Sequence, residues 1–207
     1  MSTPSWLTWS RKLQAIAQNG LLYAKDPYDQ ERFEAVRAIA AEMMAAGSGE
    51  PLEVVSGVFA AQAGYATPKV DVRGVVFRDN QILLVREAQD GLWTLPGGWA
   101  DPNESPSEAV TREIFEEAGF TTRAVKLLAV LDRAKQGHTP VFAFTVYKLF
   151  IRCEIECGEA RPSLETLEAA FFPEDRIPEL SQGRVKPEQI VRLFEHLRHP
   201  EWAADFD

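Results

Sequence analysis

The stretch Gly98–Phe120 reads GWADPNESPSEAVTREIFEEAGF and contains a complete set of helix signals. Ser105 suits the N-cap, and Pro106 suits the first helical position, where its missing N–H group is not needed. Glu108 completes an S-x-x-E capping box. Gly119 can adopt the left-handed conformation that closes a helix. The pattern therefore predicts a helix that begins at Pro106 and ends just before Gly119.

Three glutamates share one face of this predicted helix. At about 100° per residue, Glu113, Glu116 and Glu117 fall together, and Val110 and Ile114 lie on the neighbouring face. Like charges at these spacings repel by roughly 0.2–0.5 kcal/mol per pair. A hard divalent cation with oxygen ligands would turn that repulsion into binding. The alternative is a solvated acidic face with no ligand.

A longer pattern surrounds these glutamates. It reads G-x5-E-x7-R-E-U-x-E-E-x-G-U, where U is a bulky apolar residue. The chain meets it at Gly98, Glu104, Arg112, Glu113, Ile114, Glu116, Glu117, Gly119 and Phe120. This pattern is the Nudix box, so the chain resembles a Nudix hydrolase. So many fixed positions in one short stretch make the match highly specific.

The resemblance implies an α/β fold, namely the Nudix α/β/α sandwich with a mixed sheet. It also implies that the cofactor is Mg2+ or Mn2+. The expected metal ligands are Gly98 (through its carbonyl), Glu113, Glu116 and Glu117. Glu113 is also expected to be catalytic. Glu104 and Arg112 would form an ion pair that holds the loop against the helix.

Residues 1–64 predict a small N-terminal helical domain. Apolar residues three and four apart draw a stripe on a first helix: Trp6, Trp9, Leu13, Ile16, Gly20 and Tyr23. The stripe of a second helix, which begins at Asp26-Pro27, is Phe33, Val36, Ala40 and Met43. A shorter third helix is expected over 51–61. Because so few helices seldom form a secure core alone, we expect them to pack on the catalytic domain or across a homodimer. Nudix enzymes with such a helical domain extend the resemblance over the whole chain.

Residues 65–207 form the predicted Nudix hydrolase domain. Its strand-like segments, rich in branched and aromatic residues, are 70–77, 81–85, 93–95, 127–131, 141–151 and 171–172. Residues 78–80 would join the first two segments as a hairpin. The inward residues of a last helix over 187–197 are expected to be Ile190, Val191, Phe194 and Leu197.

A diphosphate is the natural substrate for carboxylates that hold divalent cations. The resemblance implies hydrolysis of the diphosphate bond of a nucleoside diphosphate linked to another group. The products would be a nucleoside monophosphate and a phosphorylated remainder. CDP-choline is the first choice of substrate and ADP-ribose the second. Two alternatives remain: a Nudix enzyme that acts on RNA ends, and a nucleotide sensor that does not cleave.

Residues outside the box supply further site candidates. Glu165, preferred to Glu168, is the predicted general base or additional metal ligand, with a solvated loop charge as the alternative. The predicted substrate-binding residues are Arg86, Arg133, Lys135 and His138. The last three lie on the loop 132–140, where basic residues would suit an anionic substrate. A surface ion pair is the alternative for Arg86, and plain surface positions are the alternative for His138 and the expectation for His196 and His199.

Composition sets the outer limits. The chain has 207 residues and a net charge of −9, from 22 basic and 31 acidic residues. This acidic balance disfavours a broad nucleic-acid surface, although a local basic pocket stays possible. There is no apolar run of membrane-spanning length and no signal-peptide pattern at the N-terminus. Cys153 and Cys157 are the two cysteines, too few for a zinc site, which predicts reduced thiols in a cytoplasmic protein.

Overall fold

A computed structural model describes residues 4–207, and the chain divides into two compact units. The first unit contains the described residues up to Pro68 together with Val141–Thr145. The second contains Lys69–Pro140 and Val146–Asp207. Among the described residues, no helix is long and apolar enough to cross a membrane.

The first unit is built from three helices, α1 (Ser5–Tyr23), α2 (Pro27–Ser48) and α3 (Leu52–Ala60). Helices α1 and α2 approach closely at two glycines: a Cβ atom on Gly20 would come within 2.3 Å of the Phe33 ring, and one on Gly47 within 2.1 Å of Trp6. The Ser10 hydroxyl donates to the Ala40 carbonyl at 2.7 Å across the same interface. Larger residues at the glycines would force the helices apart.

The predicted stripe on α1 is only partly correct. Trp9, Ile16 and Tyr23 are exposed, whereas Trp6 and Leu13 pack on the helical core. The fully buried positions of α1 are instead Leu7, Ser10, Gln14 and Ala17. Ser10 and Gln14 are polar, so a pattern of apolar residues did not predict their burial. Their side chains donate to the Ala40 and Phe59 carbonyls.

Val141–Thr145 is not strand, contrary to the prediction for 141–151. Ala143 and Phe144 pack against the buried cluster of the three helices, and the Phe144 and Phe59 rings lie 6.2 Å apart. Arg11 donates to the Phe142 carbonyl. Side chains and main chain of this segment are therefore used within the helical unit, and the strand begins only at Val146.

The second unit is a mixed sheet. Its strands are β1 (Lys69–Arg78), β2 (Gln81–Glu87), β3 (Trp93–Thr94), β4 (Phe120–Asp132), β5 (Val146–Gly158), β6 (Thr166–Pro173) and β7 (Asp205–Phe206). Their order is β3-β2-β1-β5-β4-β7, and β6 pairs with β2. Strand β1 runs parallel to β5 and turns into β2 through Asp79 and Asn80, both with positive φ, as a tight hairpin requires.

Helices cover both faces of this sheet. Helix α4 (Pro106–Ala118) buries Val110 and Ile114 against one face, in a cluster that includes Val72 and Val76 of β1. Helix α5 (Pro187–Arg198) buries residues on the other face, in a cluster that includes Val75. The α/β/α arrangement predicted from the sequence is confirmed. On α5, Val191 is exposed, contrary to the prediction, because Leu193 and Phe194 form the buried face of the helix and Val191 lies outside it.

Helix α4 starts with the predicted capping box. The Glu108 N–H donates to the Ser105 hydroxyl oxygen at 3.3 Å, and the Ser105 N–H donates to the Glu108 carboxylate at 2.8 Å. Gly119 ends the helix in the left-handed conformation, with φ of 83°.

His196, which was expected at the surface, is buried, and so is His138, for which a surface position was the alternative to substrate binding. His138 Nδ1 lies 2.9 Å from the Gln182 carbonyl oxygen, and its Nε2 lies 3.2 Å from Gln189 Nε2. His196 Nε2 lies 2.9 Å from an Asp205 carboxylate oxygen. The polar partners of these two histidines lie on a loop, on α5 and on β7, and no periodic pattern revealed them. His199 is exposed, as expected.

Ser105→Ala should lower the free energy of unfolding by about 0.5–2 kcal/mol, because N–H groups at the start of α4 lose their acceptor. The measurement is chemical denaturation, with Ser107→Ala, an exposed serine in the same first turn, as the matched control. Equal stability of the two variants would contradict the capping role.

The buried His138 predicts a specific dependence of stability on pH. Burial, with the Lys148 cation nearby, lowers the pKa of His138 to about 4. Because this folded-state pKa lies below the unfolded value of about 6.5, the stabilisation is complete above that value and is lost as pH falls toward 4. His138→Asn, which cannot take up the proton, should remove on the order of 2 kcal/mol of the stability difference between about pH 7 and pH 4.5.

His199→Asn is the matched control for this prediction, since His199 is exposed. Thermal melts across that pH range should superimpose on wild type for His199→Asn and be flatter for His138→Asn. A wild-type slope in both variants would show that His138 does not carry the effect.

Candidate active site on helix α4

The turn Leu95–Trp99 is laid along strand β1. The Val72 N–H donates to the Gly98 carbonyl at 2.8 Å, and the Gly74 N–H donates to the Pro96 carbonyl at 2.8 Å. Gly97 has φ of 138°, and a Cβ atom there would lie 2.1 Å from the Val72 carbonyl oxygen. Only glycine can be accommodated at this position, so the backbone conformation of the turn depends on Gly97.

Glu117 of α4 reaches this turn from the helix side. Its carboxylate accepts the Gly97 N–H at 2.8 Å, and the side chain is buried. Burial raises the pKa of Glu117 to about 8. A nearby cation would favour the ionised form of such a desolvated carboxylate.

Glu113, also on α4, lies beside Gly98, the next residue of the Leu95–Trp99 turn. A Cβ atom on Gly98 would be 3.1 Å from Glu113 Oε1, so this carboxylate lies directly against Gly98. Burial raises the pKa of Glu113 as well. The structure thus brings Glu113 and Glu117 to adjacent residues of one turn.

Arg112 organises the exposed side of the site. Its Nε and Nη2 donate to the two Glu104 oxygens at 2.8 and 3.0 Å, so the expected ion pair is present and bidentate. Its Nη1 also donates to Glu113 at 3.0 Å and to Glu116 at 2.8 Å. One guanidinium therefore holds carboxylates from the loop and from the helix.

These residues suit a hard divalent cation by their chemistry. Glu113, Glu116 and Glu117 offer carboxylate oxygens, and the Gly98 carbonyl keeps a second lone pair beside its bond to Val72. Within residues 4–207, no group of three His, Cys, Asp or Glu side chains already has a metal-holding arrangement. Arg112 Nη1 donates to both Glu113 and Glu116, so a cation would compete with it for these two carboxylates.

The two glutamates outside the box have different surroundings. Glu165 is exposed, and its backbone carbonyl accepts the Ala88 N–H at 2.8 Å. Burial raises the pKa of Glu87, and the charge of Glu165 adds to this shift. Glu168 lies 3.4 Å from Arg86 in a partly exposed ion pair. Glu168 is thus paired with Arg86, whereas Glu165 lies close enough to Glu87 for its charge to affect the Glu87 carboxyl.

The loop 132–140 does not present its three basic residues together. Lys135 is exposed, Arg133 is half-buried and donates to the Pro140 carbonyl at 2.9 Å, and His138 is buried with both ring nitrogens within hydrogen-bond distance of protein partners. The arrangement favours a structural part for His138 in this loop, because a ligand would have to displace one of those partners.

A buried charged cluster that no sequence pattern indicated lies in the sheet; we call it the Asp71 cluster, and it consists of Asp71, Arg73 and Lys148. Arg73 Nε and Nη2 donate to the two Asp71 oxygens, each at 2.8 Å, and Lys148 Nζ donates to one of them at 2.7 Å. Burial alone would raise the pKa of Asp71, but the two cations outweigh it and hold that pKa at about 2. The available signal was a pair of opposite charges, two residues apart, inside a strand of branched residues.

A cavity of about 150 Å³ lies elsewhere in the second unit, between α5 and strands β4 and β5. Its polar lining is Gln136, Glu188, Gln189, Arg192, His196 and Asp205. None of the predicted site residues lines it.

Two family models match the chain, one in each part. A family model described as "UDP-X-like, N-terminal oligomerisation domain" matches residues 4–59, and a model described as the NUDIX domain matches residues 67–194. A Bacillus subtilis (strain 168) protein named "Putative ADP-ribose pyrophosphatase YjhB" is 49% identical over 202 residues, which cover 98% of this chain and 97% of that protein.

Two solved structures are also similar. A crystal structure of an ADP-ribose pyrophosphatase from Streptococcus suis 89-1591 is 40% identical, with a TM-score of 0.62, and covers 68% of this chain and 100% of its own. A crystal structure of UDP-X diphosphatase is 32% identical, with a TM-score of 0.63, and the match covers 100% of both chains. The complete box, the two-unit architecture and these relatives all point to one family. This chain belongs to the Nudix hydrolases.

Proposed function

We propose that the protein hydrolyses the diphosphate bond of a nucleoside diphosphate linked to a second group, with Mg2+ or Mn2+ held by Glu113, Glu116, Glu117 and the Gly98 carbonyl. The observation that carries this proposal is the placement of two largely desolvated carboxylates, Glu113 and Glu117, against consecutive glycines of one turn. The products are a nucleoside monophosphate and the phosphorylated second group.

The relatives favour one substrate order over another. Two of the similar proteins carry the name ADP-ribose pyrophosphatase, and one structure is of a UDP-X diphosphatase. We therefore propose ADP-ribose as the leading substrate, ahead of the CDP-choline that the sequence alone placed first. All of these compounds share the nucleoside diphosphate, which is the group the carboxylate site is proposed to recognise through its metal.

The residues of the site have separable parts in the proposed reaction. When bound, the cation neutralises the diphosphate and lowers the pKa of a coordinated water. The Gly97 N–H fixes the orientation of Glu117, and Arg112 holds Glu113 and Glu116. Glu165 is the proposed general base, because it is exposed and is not the partner of Arg86.

Glu116→Gln and Glu117→Gln should each lower kcat about a hundredfold or more, because cation binding and charge compensation are lost together. Activity should also vanish when a chelator removes divalent cations. The measurement is release of phosphomonoester from ADP-ribose, CDP-choline and a UDP-sugar, over a titration of Mg2+. Glu154→Gln, an exposed glutamate paired with Arg123 on the sheet, is the matched control.

The result of this panel decides between functions. Near-normal turnover in Glu117→Gln would overturn the metal assignment. If no compound is turned over but the unmodified protein binds these nucleotides, it is a sensor, and if a capped or triphosphorylated RNA added to the panel is the substrate that is cleaved, it is an enzyme that acts on RNA ends. Either outcome would replace the proposed reaction.

We also propose that the helical unit joins two copies of the chain. Trp9, Ile16 and Tyr23 lie seven residues apart on α1 and are 57%, 55% and 67% exposed, so they form one apolar line along the helix. The family model that matches this region is described as an oligomerisation domain. A second copy is therefore the occupant that best suits this face.

Ile16→Glu should weaken self-association at least about tenfold, because it places a charge in the middle of the apolar line. Sedimentation velocity over a concentration series measures the change. Leu22→Glu is the control, since Leu22 is 45% exposed on α1 but outside that line. If both variants keep the wild-type sedimentation coefficient at every concentration, the proposed interface is wrong.

A further inference from the structure

The Asp71 cluster lies directly behind the turn that carries the candidate metal site. Arg73 Nη1 donates to the Leu95 carbonyl at 3.2 Å, where the turn begins. Asp71 forms a backbone bridge with Trp99, where the turn ends. The cluster and the turn are therefore joined at both ends.

Arg73 uses a geometry that a point charge cannot reproduce. A guanidinium has five N–H donors in a planar fork. Two directions of that fork are filled by the Asp71 carboxylate and a third by the Leu95 carbonyl. The fork thus ties a strand side chain and the turn backbone into one rigid unit.

Core packing alone does not account for this cluster. Arg73, Asp71 and Lys148 are 4%, 6% and 1% exposed, so three charged groups are removed from water in the middle of a sheet. Well-packed apolar residues in place of buried ion clusters are often as stable or more stable. The position of the cluster behind the turn provides a function that apolar residues would not supply.

We infer that Arg73 is a positioning residue for the metal site: it fixes the Leu95–Trp99 turn, and through the turn the Gly97 N–H that holds Glu117 and the Gly98 carbonyl beside Glu113. This inference rests on the proposed function, because it assumes that these carboxylates bind the cation. Arg73 itself touches neither the cation nor the substrate in this scheme.

The sign of the effect on cation binding separates positioning from simple electrostatics. With the carboxylates ionised, a positive charge near a cation site repels the cation, so removal of the Arg73 charge alone would strengthen binding. Loss of positioning would weaken binding instead.

The test uses two substitutions in the full-length protein. Arg73→Met removes the charge and the fork, and Arg73→Lys keeps the charge but not the fork. Mn2+ binding to the metal-free protein is measured by the electron paramagnetic resonance signal of free Mn2+, alongside kcat, KM and the melting temperature. Arg123→Met, at an exposed arginine of β4 paired with Glu154, is the matched control.

Positioning predicts that both Arg73 variants bind Mn2+ at least about tenfold more weakly than wild type. At saturating Mn2+, kcat should fall about tenfold or more while KM changes less than about threefold, because the diphosphate still meets a bound cation. Arg123→Met should match wild type in all four measurements.

The contrary outcomes are distinct. Wild-type affinity for Mn2+ in folded Arg73→Lys, or tighter binding in Arg73→Met, would overturn the inference and leave the metal site intact. If Arg73→Met does not fold, Arg73→Lys carries the comparison, and loss of fold in both would assign Arg73 to stability alone. Absence of Mn2+ binding in wild type would instead overturn the proposed metal site itself.

Discussion

The hydrogen bond from the Gly97 N–H to the Glu117 carboxylate is the interaction on which the site depends. It joins a turn that follows β3 to helix α4, which starts nine residues after Gly97, and it can form only because Gly97 has no side chain to strike the Val72 carbonyl. Without it, Glu117 would be a buried acid with no fixed orientation. The sheet, the turn and helix α4 therefore meet at one backbone group.

Local signals made most of the fold around the site predictable. The capping box, the proline at the first helical position and the terminal glycine define α4 within a few residues of sequence, so they required no tertiary contact. The hairpin of β1 and β2 was predictable for the same reason. The segment 141–145 was not, because its branched and aromatic residues pack on helices far away in sequence, and strand propensity is overridden by such packing.

The residues of the site also differ in whether local sequence signals predict them. The glutamates of the box are brought together by one helix and one turn, and helical periodicity predicts that directly. The Asp71 cluster depends on the register that places Asp71 opposite Lys148 in parallel strands nearly eighty residues apart in sequence, and no local pattern contains that register. The burial of His138 was not predictable for a similar reason, since its partners Gln182 and Gln189 come from a later loop and helix.

The assignment of Val141–Thr145 to the helical unit means that the boundary between the two units is crossed more than once. The chain passes from one unit to the other at residues 68–69, 140–141 and 145–146, so the helical unit is not one continuous piece of sequence. Removal of the three helices would leave Ala143 and Phe144, in the loop between β4 and β5, without their present packing partners. A cut after Pro68 alone therefore divides the helical unit instead of separating it from the sheet.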